Sequence, residues 1–423
     1  MKLEVHFDWR GQTHLVGRLY ADEHGQAVTF EYVPEWLQRE DACAIDPTAL
    51  PLRPGPQHSA TLFGVMQDCG PDRWGRVLIE RAARKNVLSR KPYRDIDYVL
   101  ALDDVARVGA LRFRLDATGP FLAAGTGKLP PLLRLQALLR ATDAVHAESE
   151  TAQDLRFLLG AGSPIGGARP KCAIRLANDA LAIAKFPKPD DMRDIAAGEI
   201  LALSIAREAG IRTAEHRLVS VGKQSVAVIT RFDRQGQNRI PFISAASLLG
   251  ADPGGSAAYT QVGDGIRQFG HNVPGDLREL WRRLIFSLMA SNYDDHLRNH
   301  GFLMLAPGRW SLSPAYDLNP VPEIERARAS QMAIAEDTKA PTIAGALDAA
   351  PRFGLPPAEA RRILREVFAA VSGWRKTGLR LGIRPATLEA YASAFDQPLM
   401  KEAAGLVGGI TGIARVPARL KKS

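Results

Sequence analysis

An apolar helix that runs straight into a knot of polar side chains is the tightest constraint in this sequence. Leu277, Leu280, Trp281, Leu284 and Leu288 recur at helical spacing; the chain then reads NYDDHLRN (292–299) before an apolar strand resumes. Carboxylates, amides and imidazoles lodged between apolar elements are costly unless they hydrogen-bond or bind something. The fold must therefore bring partners or a ligand to this loop. Asp276 and Glu279 read as a capping pair at the start of the helix.

The rest of the chain places this helix late in an α+β order. At 423 residues two or three lobes are expected. Segments such as THLVGRLY and AVTFEYV make a strand-rich start, and PDRWGRVLIERAARK (71–85) reads as a helix opened by Pro71 and Asp72. Thr118 to Pro131 holds three glycines and three prolines and reads as a linker. A helix follows from Pro131, then a glycine-rich turn over Gly160 to Pro170. CAIRLA and ALAIAKF form a hairpin around Asn178 and Asp179. A helix over Ile195 to Ala209 stops at Gly210, and QSVAVITRFDR is another buried strand. Residues 250–276 read as a long glycine-rich loop, and everything past 340 as helices. The division expected is 1–117, 118–235 and 236–423: a β-rich subdomain, a small lobe and a helical lobe.

Composition narrows the compartment and the partners. The start, MKLEVHFDWR, lacks the apolar core of a signal peptide, and no run of about 18 apolar residues exists to span a membrane. Cys43, Cys69 and Cys172 are far apart and odd in number, so neither a disulfide framework nor a zinc knuckle is expected. A reducing cytoplasm fits. The net charge of +9 fits nucleic acid, a partner that binds it, or an anionic ligand such as a nucleotide, although solvated helix faces account for it equally well.

Asp294 and Asn299 stand at the D-x-x-x-x-N separation of a protein-kinase catalytic loop. Eighteen residues further on, LSPAYDLNP supplies Asp317, a second hard-oxygen ligand suited to magnesium. Upstream, Lys185 ends an apolar strand and Glu199 lies in the next helix, as a phosphate-holding lysine and its supporting acid require. Each residue alone reads as a cap, a turn or a solvated side chain; their order along the chain is what points to phosphotransfer. The turn Gly166-Gly167-Ala168-Arg169-Pro170-Lys171 lets backbone amides approach phosphates, though it is neither a Walker A loop nor G-x-G-x-x-G.

Seven segments in order, GPDRWGR (70–76), RVGALRF (107–113), SPIGGARPK (163–171), AIAKFP (182–187), TRFDR (230–234), DDHLRN (294–299) and LSPAYDLNP (312–320), resemble the signatures of the HipA family of toxins from type II toxin–antitoxin systems. The resemblance implies a two-lobed protein-kinase-like fold with an added β-rich N-terminal piece. It implies ATP, magnesium and phosphorylation of a protein serine or threonine, with aminoacyl-tRNA synthetases among the family's substrates. By position Asp294 would be the catalytic base, and Asn299 and Asp317 would hold magnesium. Lys185, Lys171, Gly166 and Gly167 would meet the nucleotide phosphates, with Glu199 behind Lys185. Arg231 and Phe232 would meet adenine largely through backbone, and His296 would be structural. Ser163 stands nearest to the family's autophosphorylated serine, one residue out of place and followed by Pro164. The implied partner is a small helix-turn-helix, HipB-like antitoxin, with DNA reached through that complex.

Two other readings stand beside this one. His296 and His300, spaced i, i+4, could serve a metal-dependent hydrolase, but Leu297 stands where zinc proteases of that spacing carry glutamate. A kinase-fold, DNA-associated transcriptional co-regulator without catalysis would also explain the basic charge.

Overall fold

A computed structural model describes residues 1–22, 25–122, 129–161, 169–251, 257–328, 332–338 and 340–408. The N-terminal part is an antiparallel sheet of β1 (Lys2–Trp9), β2 (Gln12–Ala21), β3 (Val28–Tyr32), β4 (Gln57–Ser59) and β5 (Leu111–Arg114), in the order β4-β3-β2-β1-β5. Leu3, Val5, Phe7 and Trp9 alternate onto its buried face, as the period of a strand demands. That face joins a core that continues through the Ile195–Glu208 and Val273–Met289 helices. Cys43, Cys69 and Cys172 are free thiols, all buried.

The middle of the chain carries a second antiparallel sheet, β6 (Lys171–Arg175), β7 (Leu181–Lys185), β8 (His216–Val221) and β9 (Gln224–Thr230), ordered β6-β7-β9-β8. Asp179 takes a positive φ of 65° in the β6–β7 hairpin, where Asn and Asp are tolerated best. Cys172, Ile174, Ala182, Ala184, Val226 and Val228 form a core with three helices: Arg73–Arg84, Leu135–His146 and Ala152–Ala161. The first of these comes from the N-terminal part, so the chain crosses between layers before it reaches the second sheet. Asp72 caps that helix by accepting the Gly75 amide at 2.8 Å.

The third part is helical around β12 (Phe242–Ser244), β13 (Gly301–Ala306) and β14 (Arg309–Leu312), and follows the small ribbon of β10 (Arg234–Gln235) and β11 (Asn238–Arg239). Two expectations fail here. Residues 250–276 are not one loop: Tyr259–Phe269 is a helix. Gly265 serves packing, since a Cβ there would sit 2.9 Å from Leu249 Cδ2. The helix bearing the apolar stripe starts earlier, at Val273, capped by Asn272, whose side chain accepts the Gly275 amide. Asp276 and Glu279 are not its caps; they lie buried and pair with Arg212 and Arg283.

A buried ionic knot fastens the N-terminal part to the second sheet. Arg231 donates to Asp233 and to the carbonyls of Ala106 and Arg107, at 2.6 and 3.0 Å for the carbonyls. Asp233 also accepts from Arg234 and from the Gly109 amide, the latter at 2.8 Å. Gly109 has a φ of 71° with Phe242 close behind it, a place suited to glycine. Burial opposes the charge on Asp233, but Arg231 and Arg234 outweigh it and hold the carboxyl well below the usual carboxylate range. Removing one member of such a cluster leaves uncompensated buried charge. Asp233→Ala is therefore expected to cost about 3–5 kcal/mol in urea unfolding; a loss under about 1 kcal/mol would contradict the assigned role.

Candidate active site

Lys185 ends β7 with its side chain on the buried side, 8% exposed. Its ammonium donates to Glu199 Oε1 at 2.6 Å and to Asp317 Oδ1 at 2.7 Å. Glu199 rides the Ile195–Glu208 helix, which Asp194 starts by accepting the Ala197 amide at 2.9 Å. Burial opposes the charge on Lys185, yet Asp317 and then Glu199 outweigh it and raise its pKa above the usual lysine value. Burial likewise opposes the charge on Asp317, and Lys185 and Lys171 overcome it, so this carboxyl stays well below its usual range. On Glu199 burial wins and its pKa is raised despite Lys185. The predicted lysine and glutamate meet as expected, and Asp317 joins them from 132 residues away.

Asp317 has a φ of 55°, rare for a residue with a side chain. Asn319 donates to its carboxylate at 3.3 Å, while the Asn319 amide donates to Asn292 Oδ1 at 2.9 Å. The segment around Asp317 and the 292–299 loop are thus tied together at the end of the Val273–Met289 helix. In the loop, Asn299 donates Nδ2 to the Asp294 carbonyl at 3.0 Å, which leaves its amide oxygen for another partner. Tyr316 donates to the Arg298 carbonyl at 2.7 Å.

The adjacent aspartates differ sharply. Asp294 is exposed, and among the described residues its carboxylate has no hydrogen-bond partner. Partial desolvation raises its pKa, Asp317 and Asp295 add to the rise, and His296 opposes it. Asp295 is buried, pairs with His300 Nε2 at 3.0 Å and accepts from the Tyr259 hydroxyl. Tyr259 in turn accepts from the Ser287 hydroxyl at 3.2 Å. His300, not His296, is the buried histidine that braces the loop; His296 is exposed. The two imidazoles do not converge, and among the described residues no three His, Cys, Asp or Glu side chains are grouped to hold a metal, so the hydrolase reading lacks a ligand set.

Two cavities flank this centre. One is lined by Val108, Ile183, Ile229, Thr230, Arg231, Phe232, Asp233 and Tyr316, with Lys185 and Asp317. Arg231 turns its guanidinium into the ionic knot, so what it offers this cleft is backbone. The other, about 210 Å³, is lined by Asp72, Arg73, His296, Arg298 and Asn299 among others. Lys171, 1% exposed, pairs with Asp72. Gly166, Gly167 and Ser163 lie outside the described residues.

Sequence reasoning passed over Asp233, Tyr259 and Asp295, and read Asp72 only as a helix start and His300 only as half of a possible metal pair. The doublet at 294–295 and the R-x-D-R run at 231–234 were the available signals.

A four-stranded sheet bearing a lysine, a helix glutamate behind it and a helical lobe carrying the catalytic-type loop define a two-lobed, protein-kinase-like fold with a β-rich N-terminal addition. The chain belongs to the HipA family: the HipA N-terminal domain matches residues 8–113 and the HipA-like C-terminal domain residues 163–374. A Haemophilus influenzae protein named "Putative kinase" is 31% identical over 156 residues, which is 33% of this chain and 46% of that protein. This chain therefore matches about half the length of that curated relative. A chain from the Shewanella oneidensis complex of HipA, HipB and operator DNA superposes with a TM-score of 0.69 at 16% identity, covering 98% of this chain and 100% of that one. No helix among the described residues is long and apolar enough to cross a membrane.

The contrast between the adjacent aspartates is testable. Asp295→Ala strips His300 and Tyr259 of a buried partner and should cost about 2–4 kcal/mol. Asp294→Asn should stay within about 0.5 kcal/mol of wild type. Chemical denaturation of both variants checks this; equal losses would erase the distinction.

Proposed function

We propose that this chain is an ATP- and magnesium-dependent serine/threonine protein kinase, the toxin of a HipBA-type module. The observation that carries the reading is the Lys185 ammonium bridging Glu199 and Asp317 at one end of a cleft lined by Ile183, Ile229 and Phe232. Apolar walls suit a flat base, and the buried lysine suits its phosphates.

The donor set fits magnesium: Asp317 is held ionised, and Asn299 has its nitrogen committed and its oxygen available. Asn299 and Asp317 would hold the ion, which when bound neutralises charge on the phosphate oxygens. Lys185 holds phosphate oxygens while Glu199 keeps its ammonium aimed. The backbone at Arg231 and Phe232 orients the base. Asp294 accepts a hydrogen bond from the serine or threonine hydroxyl as it attacks, and takes its proton. Asp295, His300 and Tyr259 keep the loop rigid around it. Positioning and charge neutralisation supply most of the acceleration.

The family supports a cytoplasmic toxin with a small helix-turn-helix, HipB-like antitoxin as partner and DNA reached through it; the Shewanella neighbour is assembled with HipB and operator DNA. A translation-related protein, such as an aminoacyl-tRNA synthetase, is the acceptor class that goes with this reading.

Radiolabelled ATP with cell lysate tests it. Wild type should label a protein band with magnesium present, and Asp294→Asn should lower the rate about a hundredfold or more while ATP still raises thermal stability. Wild-type labelling by that variant would refute the assignment; ATP binding without any labelling would favour the non-catalytic co-regulator. Burial raises the pKa of the Asp294 carboxyl and Asp317 and Asp295 add to the rise, so its titration in the metal-free protein, followed by carbon-13 NMR, should lie above the ordinary aspartate value of 3.8. A midpoint at or below that value would contradict the surroundings assigned to it.

A further inference from the structure

Lys171 and Lys185 stand directly opposite each other on antiparallel β6 and β7. Opposed residues on such a pair share one face of the sheet, and like charges placed there repel. Both ammonium groups are buried, so each needs its own acid. Lys185 takes Glu199 and Asp317. Lys171 is met by Asp72, 99 residues earlier in the chain.

Asp72 is itself immobilised. Its Oδ1 accepts the Gly75 amide at 2.8 Å and its Oδ2 takes Lys171. The helix that it caps is seated by Trp74, Leu78 and Ile79 in the same core as Cys172 and Ile174 of β6. Asp72 also lines the second cavity beside Asn299.

We infer that Asp72 is a positioning residue for phosphotransfer: through it the N-terminal part holds the Lys171 ammonium beside Lys185, charged and aimed at the nucleotide phosphates. This rests on the kinase reading and adds to it a residue from outside the two kinase-like lobes. A lysine ammonium carries three donors, so Lys171 keeps Asp72 and still reaches a phosphate oxygen. Without the carboxylate, a cation buried next to Lys185 is repelled and poorly solvated, and it loses its charge or swings away. Asp72 then sets nucleotide affinity without touching the nucleotide.

The test measures Mg–ATP affinity by calorimetry and label transfer to lysate protein at saturating ATP. Asp72→Asn keeps a good helix cap and removes the charge. It should weaken ATP binding about tenfold, the worth of one charge-assisted hydrogen bond, with the saturated rate within about threefold of wild type. Lys171→Met should weaken ATP binding at least as much, and the double variant should bind ATP no worse than Lys171→Met alone. Unchanged affinity in Asp72→Asn, or losses that multiply in the double variant, would overturn the inference. Circular dichroism checks folding, and Asp72→Ser, a second good cap, replaces any variant that fails it. Wild-type protein that binds no Mg–ATP would sink the kinase reading and this inference together. Normal wild-type binding with unaffected variants would sink the inference alone.

Discussion

One ammonium group shared by two carboxylates holds the site of this protein together. Lys185 comes from a strand, Glu199 from a helix packed beneath the same sheet, and Asp317 from the helical lobe. All three are largely out of water, where an ion that loses its partner costs several kcal/mol. The placement of the two lobes is therefore tied to the geometry of a single side chain. The Glu199 helix is held equally tightly from its far side. Gly198 packs so closely on Tyr391 that a Cβ there would lie 2.1 Å from the tyrosine oxygen, and Tyr391 donates to the Asp194 carbonyl at 2.8 Å.

The N-terminal part is built into this arrangement. Its Arg107–Gly109 segment locks onto Arg231, Asp233 and Arg234, Val108 lines the cleft, and Asp72 reaches Lys171. The segments that mark the family in the sequence are the points where the layers interlock. GPDRWGR meets the lysine that ends SPIGGARPK, RVGALRF meets TRFDR, and LSPAYDLNP meets both AIAKFP and the 292–299 loop. Each junction satisfies buried polar or charged groups, so specificity of assembly and construction of the site draw on the same side chains.

Much of the local structure was legible in the chain. Asp72 before an amphipathic run, Asn178 and Asp179 between two apolar strands, and Gly210 after a periodic segment each announce an element through short-range chemistry. Lys185, Glu199, Asp294, Asn299 and Asp317 were legible as candidates from residue type and order. The Tyr259–Phe269 helix was not, because Gly263 and Gly265 look like loop residues until the packing of Leu249 against Gly265 is in view. The true cap, Asn272, was passed over for the same reason: Asp276 and Glu279 have capping chemistry, but Arg212 and Arg283 claim them.

Sequence alone determined the kinds of element, their order and the polar groups that had to find partners, since helix periodicity, strand alternation and turn chemistry act over a few residues. Tertiary structure decided which of two adjacent aspartates faces open space and which is buried against His300 and Tyr259. It also decided that His300 rather than His296 braces the loop, and that the acid serving Lys171 comes from 99 residues away. The physical reason is range. A hydrogen bond or ion pair depends on separation in space, and separation along the chain says little about it once the chain has packed.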